Sequence, residues 1–376
     1  MNPPKNTTVY FANLDSLRAI AAFLVIFYHI GLHLVFPENK FTPYLIQVLS
    51  FNGLGGSLGV TFFFTLSGFL ITYLMFVELE KKGSFSILNF YMRRILRIWP
   101  LYYLSLLIGF IGFPLAKDLF DLSYTHHLNY WLYIFFLTNF EPLLNSNPVP
   151  GPLGVQWSVA IEEQFYLVWP LIFSICNRKI FPLVLLAITL FSEIFFSLAH
   201  DWKIQYYHTL CNVRYLSSGA LLATIAFRFP GVVKYVLDSF SKTVTLIVYT
   251  SGLLLIFFTP NIVHTMPAYS YLNHMITIAF FLFVIAEQTF SVNKLFSLGS
   301  SVIFTRMGKI SYGLYLIHMI VITTTTSIFS NNSQWIFLQV VFVLLVTVLL
   351  SELSYRFFES PFLKRKDQFS YILTHK

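Results

Sequence analysis

The sequence predicts an all-α, polytopic integral membrane bundle of about ten transmembrane helices with both termini cytoplasmic. Three observations predict it. The 376 residues are 56% hydrophobic and only 11% charged, with a mean hydropathy of +0.70, too little polar surface for a soluble domain. The apolar residues fall into runs of spanning length separated by short polar loops. Lysines and arginines are spread unevenly over those loops, as the positive-inside bias requires. The formal charge of +8 then reflects basic residues collected on one side of a membrane, not a nucleic-acid partner. Cys176 and Cys211 fit no metal or redox spacing. No small-residue cleavage site follows the first run, which is therefore read as a retained span.

A short polar tail ends near Asn13, and span one is Leu14–Phe36. Span two, Gly59–Val77, carries the small residues Thr65, Ser67 and Gly68, which permit close helix contact. A basic loop, ELEKKGSFSILNFYMRRILRIWP, leads to span three, from about Ile98 to Ala116, with Pro100 tolerable in its first turn. Asn129–Phe140 is apolar but short of the roughly twenty residues needed to cross. Its Trp and Tyr content suits the interface, and the Pro- and Gly-rich NSNPVPGPLGVQW that follows is not helical. The region from Lys117 to Gln156 is thus read as an outer loop with an interfacial helix. Spans four to ten are Val159–Cys176, Ile180–Ala199, Val213–Phe227, Val244–Thr259, Tyr271–Phe290, Ser311–Phe329 and Trp335–Phe357, followed by a tail with Lys364, Arg365 and Lys366. There is no repeat or low-complexity linker, so residues 1–376 read as one domain with no appended soluble module.

Charge sets the orientation. With ten spans and the N-terminus inside, only Lys40, Lys117, Lys203 and Arg214 fall outside, leaving 20 of the 24 basic residues inside. If Asn129–Phe140 also crossed, 13 basic residues after it would be outside and only two inside, against the positive-inside bias.

Within this frame some residues carry chemistry. Arg18 and His29 are eleven residues apart, only about 20° past three full turns, so they share a face roughly 16 Å apart along the axis. Asp15 is placed to pair with Arg18. Ionisable groups on one membrane-helix stripe are costly unless they face the bundle interior; the alternatives are snorkelling for Arg18 and a packing hydrogen bond for His29. Arg93, Arg94 and Arg97 stand at the cytoplasmic mouth of span three and offer forked donors to phosphates, or else anchor the loop at anionic headgroups. Glu162 and Glu163 open span four from the outside and point about 100° apart, so at most one faces a cavity comfortably while the other reaches the interface. In span nine, Tyr312 and Tyr315 share a face, and His318, roughly 10 Å in from the start of its span, reads as a structural hydrogen-bonder. Glu352 and Arg356 form an i,i+4 pair near a helix end at Glu359–Pro361. Glu193 and Glu287 are buried acids of unassigned role.

Six segments in order, LDSLRAIAAFLVIFYH, GVTFFFTLSGFLI, RRILRIWPLYY, WSVAIEEQFY, ISYGLYLIH and SYRFFESPF, resemble the acyltransferase-3 family of membrane-bound O-acyltransferases, which includes polysaccharide and lipopolysaccharide O-acetyltransferases. The resemblance covers nearly the whole chain. It implies an acyl donor, usually acetyl-CoA, used from the cytoplasm as a substrate and not as a tightly bound cofactor. It also implies a hydroxyl acceptor on a surface polysaccharide or lipid-linked glycan at the outer face of a bacterial inner membrane. By motif position, Arg18, His29 and Glu162 become active-site residues and Arg93 and Arg94 a donor-binding pair, which Arg97 extends; no metal site is implied. Val159 and Ala160 depart from the usual Trp-Ser-Leu stretch. His29 suits a general base on the acceptor hydroxyl, while Arg18, always protonated, suits donor positioning. A glycan exporter using the same charges is the alternative class, disfavoured by the lack of paired halves or broken helices.

Overall fold

The computed structural model describes residues 7–34, 54–119, 128–145, 151–263, 269–329 and 335–373. Phe36, Lys40, residues 146–150 of the Pro-rich stretch and Lys376 lie outside the described residues. The chain is a helical bundle. Its helices are α1 (Ala12–Leu34), α2 (Gly55–Lys82), α3 (Ile87–Leu119), the short α4 (Tyr130–Ile134) and α5 (Glu141–Leu144), and α6 (Gln156–Ile175). There follow α7 (Phe181–Leu198), α8 (Trp202–Arg228), α9 (Pro230–Asp238), α10 (Lys242–Val263), α11 (Tyr269–Phe290), α12 (Val302–Lys309), α13 (Ser311–Ile328) and α14 (Ile336–Phe369). A two-residue parallel pairing of β1 (Thr7–Thr8) with β2 (Ile372–Leu373) brings both ends of the described chain together.

Every one of the ten predicted spans is met by a helix. Seven are long and apolar enough to cross a membrane, and an eighth if α9 and α10, which meet at 92°, count as one broken span. The two that fall short, α6 and α13, carry polar residues buried inside the bundle, such as Ser158, Ser311 and His318. Their low hydropathy comes from residues turned toward protein, not lipid. Outward rows on α7 and α14, including Leu183, Leu190, Phe191, Phe337 and Leu345, are exposed and apolar, as a lipid-facing surface must be.

The middle of the bundle is the contact between α2 and α8. Gly68 lies against the Leu216 carbonyl and Gly219 against that of Thr65, both too close for a Cβ on either glycine. The small residues noted in span two thus let two backbones touch. Trp169 of α6 closes the same region, donating its indole N–H to Thr72 Oγ1 at 2.9 Å.

Three predicted boundaries are corrected. First, α3 starts at Ile87, eleven residues before the expected Ile98, because Ser86 caps it by accepting from the Asn89 N–H at 3.3 Å. The three arginines therefore stand inside a helix, and Pro100 is internal to it. Second, α14 runs through a π-turn at Ser354–Glu359 and past Pro361, where a helix end was expected. Third, the segment around α4 keeps Tyr130, Trp131 and Phe135 exposed, as an interfacial helix would, but it is not confined to the surface. It folds back into the bundle, burying Tyr133, Phe136, Thr138 and Asn139. The Phe136 ring stacks on Tyr102 at 4.3 Å, with its backbone at a φ of 55°. Gln164 of α6 satisfies the turn, donating to Phe136 O and Asn139 Oδ1, each at 2.8 Å. Irregular backbone at depth is tolerable because protein surrounds it.

The α2–α8 contact is testable. Gly219→Ala should lower stability by roughly 1–3 kcal/mol or more through overpacking, read as a lower unfolding temperature in detergent. Gly231→Ala, where a Cβ would meet open space, should leave it unchanged.

Candidate active site

The charged faces of five helices converge. From α1 comes Arg18, paired with Asp15 at 2.7 Å one turn earlier. From α3 come Arg94 and Arg97, from α2 Ser67, from α6 Ser158, Glu162 and Tyr166, and from α13 Tyr312 and Tyr315. They enclose a cavity of about 100 Å³. Arg18, Ser67, Arg94 and Arg97 also line a wider cavity of about 360 Å³ that reaches the end of the bundle where the two termini meet. Its outer walls add Arg306, Lys309, Lys364 and Lys366, with Asp15 and Asp367 as the acids. The two cavities meet at three guanidinium groups, so an anion finds forked donors at the neck.

Glu162 faces the inner cavity. It lies beside Ser67 and Tyr166, whose hydroxyls hydrogen-bond each other. Arg94 lies 5.7 Å over the Tyr166 ring, and its Nε has no hydrogen-bond partner among the described residues. Tyr315 closes the far side, its hydroxyl 2.6 Å from Ser158 Oγ.

The structure thus brings Arg18, Arg94, Arg97 and Glu162 together, but not Arg93 or His29. Arg93 turns to other partners. Its guanidinium pairs with buried Glu78 at 2.8 Å and donates to Phe369 O at 2.8 Å, clamping α2, α3 and the end of α14. Arg94 and Arg97, three apart, share the cavity face instead of Arg93 and Arg97, four apart. Glu163, expected to reach the interface, accepts from the Trp99 indole at 2.9 Å between α3 and α6.

His29 sits beyond the inner cavity, against His318. His318 Nε2 is 3.2 Å from His29 Nδ1, and the His318 ring lies 5.9 Å from that of Tyr315. His29 Nδ1 also contacts Val25 O at 3.0 Å, and His318 Nδ1 contacts Leu314 O at 3.1 Å. Carbonyls only accept, so in the neutral pair each Nδ1 carries its hydrogen. The one His29 Nδ1–H is then shared between Val25 O and His318 Nε2, which leaves the His29 Nε2 lone pair to take a proton.

A family described as "Acyltransferase domain" (Acyl_transf_3) matches residues 11–356. The chain belongs to this acyltransferase family. Among curated proteins it is similar to "Peptidoglycan O-acetyltransferase OatA" of Listeria monocytogenes, 30% identical over 94% of this chain and 56% of that one. A Staphylococcus aureus protein provisionally named O-acetyltransferase SACOL0978 is 30% identical over 94% of this chain and 58% of its own length. The chain therefore spans little more than half of these relatives. No solved structure matches.

Sequence reasoning missed the partnership of the two histidines in this acyltransferase. His318 is seven residues into α13 and His29 seventeen into α1, which read as different depths. They meet because α12 runs alongside α1, with Gly308 against the Asp15 backbone, and so sinks the start of α13. Arg306, Lys309, Lys364 and Lys366 were legible only as inside-facing charge.

Arg93→Ala should leave Glu78 buried and unpaired and cost on the order of 3–5 kcal/mol. Arg97→Ala, at the cavity wall, should cost far less. Unfolding temperatures in detergent compare them; equal losses would mean Glu78 does not depend on Arg93.

Proposed function

We propose that this chain transfers an acetyl group from acetyl-CoA, taken from the cytoplasm, to a hydroxyl of a cell-surface glycan. The observation that carries the reading is continuity. A funnel walled by basic residues narrows through Arg18, Arg94 and Arg97 to an inner cavity whose Tyr315 abuts the His318–His29 pair. Phosphates of the donor would rest among the guanidinium groups, with the thioester arm threaded inward. Relatives named as O-acetyltransferases, one of them for peptidoglycan, support the acyl group and a cell-wall acceptor.

In this reading His29 Nε2 takes the acceptor O–H proton as the oxygen attacks the thioester carbonyl. The C–S bond breaks, an ester forms, and the CoA sulfur leaves, protonated to the thiol. His318 accepts from His29 Nδ1–H and holds the ring as it becomes positive, a positioning role. Arg18 and Arg94 bind the donor, and Glu162 with Ser67 and Tyr166 lines the path of its arm.

The test measures ester content of the glycan and acetyl-CoA affinity at matched abundance in membranes. His29→Gln should lower transfer by on the order of 10²–10⁴-fold with affinity retained, and Arg94→Ala should weaken donor binding. His318→Gln, still an acceptor, should keep most activity. His318→Leu should lose about 10- to 100-fold, the worth of a hydrogen bond to a charged group. Wild-type transfer in His29→Gln overturns the base assignment.

The same reading sets the funnel mouth at the cytoplasmic face of a bacterial inner membrane, where the positive-inside bias puts it. Cys176, at the funnel-side end of α6, and Cys211, near the opposite end of α8, are both free. An impermeant thiol reagent should label Cys176 only after the membrane is opened; labelling from outside reverses the orientation.

A further inference from the structure

A third cavity, of about 80 Å³, lies at the opposite end of the bundle from the funnel, between α2, α8, α10 and α11. Its walls include Trp157, Tyr206, Asn212, Arg214, Asn273 and Thr277. The Trp157 and Tyr206 rings are 4.8 Å apart. Arg214 is 2% exposed; its Nη1 pairs with Glu193 at 3.2 Å, and its guanidinium lies 3.8 Å over the Phe196 ring. Two polar atoms of this wall are buried without a hydrogen-bond partner among the described residues: Arg214 Nε, a donor, and Asn273 Oδ1, an acceptor. Buried polar atoms left in this state carry a desolvation cost that a bound group would relieve.

What fits is set by that pattern. Glu193 neutralises Arg214, so the cavity offers no net positive charge to favour an anion. A carboxylate would satisfy Arg214 Nε but has no hydrogen for Asn273 Oδ1. A bare hydroxyl would leave most of the volume empty. A secondary amide offers a carbonyl to the arginine and an N–H to the asparagine at once, and its small alkyl end suits the aromatic wall. The cavity wall also packs against the helix that carries the proposed base. Tyr28, next to His29, packs over Gly56, and the following Ser57 and Leu58 line the cavity. Resting on the acyl-transfer reading above, we infer that this cavity is an acceptor subsite that takes the N-acyl group of an amino sugar and so presents a neighbouring hydroxyl toward His29.

The test uses the full chain in lipid nanodiscs, without donor, and titration calorimetry with two β-1,4 disaccharides, N,N′-diacetylchitobiose and cellobiose. They share a backbone and differ in the acetamido groups. The acetylated sugar should bind on the order of tenfold more tightly or better, and Asn273→Ala should bring it to the level of cellobiose with acetyl-CoA affinity unchanged. Equal affinity for the two sugars on the unaltered chain overturns the subsite even if the variant fails to fold, and so does parental binding by Asn273→Ala. Acetyl transfer to cell-wall glycan is measured beside it. Transfer without an amide preference rejects the subsite alone; an amide preference without transfer upholds an N-acyl sugar site but rejects the acyl-transfer reading, and with it the site's acceptor role.

Discussion

A bilayer interior does not tolerate ionised side chains on its lipid face, and this constraint organises the protein. Asp15, Arg18, Arg94, Arg97 and Glu162 all stand on helices of spanning length, and all line connected cavities walled by α1, α3 and α6. With the charges turned inward, the apolar rows of α7, α10 and α14 are left to face lipid. The same constraint separates the neighbours Arg93 and Arg94. The former is neutralised by Glu78, while the latter faces the cavity with a donor unspent, so one holds helices together and the other is available to a ligand.

Close backbone approach makes this convergence possible. Gly68 and Gly219 let α2 and α8 touch, and Gly308 lets α12 lie on α1 beside Asp15. The second contact has a chemical consequence. It carries the start of α13 inward, so that Tyr315 borders the inner cavity and His318 reaches His29. Each helix's own carbonyl fixes the Nδ1 hydrogen of its histidine, and packing between the helices then sets His318 Nε2 against His29 Nδ1, leaving His29 Nε2 free.

The re-entrant turn at Phe136 follows the same logic with polar backbone in place of charge. Gln164 and Asn139 supply side-chain amides to it, and Asn139 donates onward to Tyr207 O at 3.1 Å. That network ties the irregular segment to α6 and α8 beside Trp157, at the end of the bundle opposite the funnel.

Hydropathy, charge asymmetry and helical spacing are local properties, and they alone determined the helical membrane class, the ten helices in order and the inward stripe of Arg18. They also told that the Asn129–Phe140 segment is too short to cross. Only the tertiary structure decided that Arg94 and not Arg93 meets Arg97 at the cavity. The reason is that Glu78, fifteen residues away on another helix, claims one of two adjacent arginines. The pairing of His29 with His318 lay equally beyond the sequence, since depth counted along a helix says nothing of where a neighbouring helix begins. Periodicity assigns a residue to a face; packing between helices decides what that face meets.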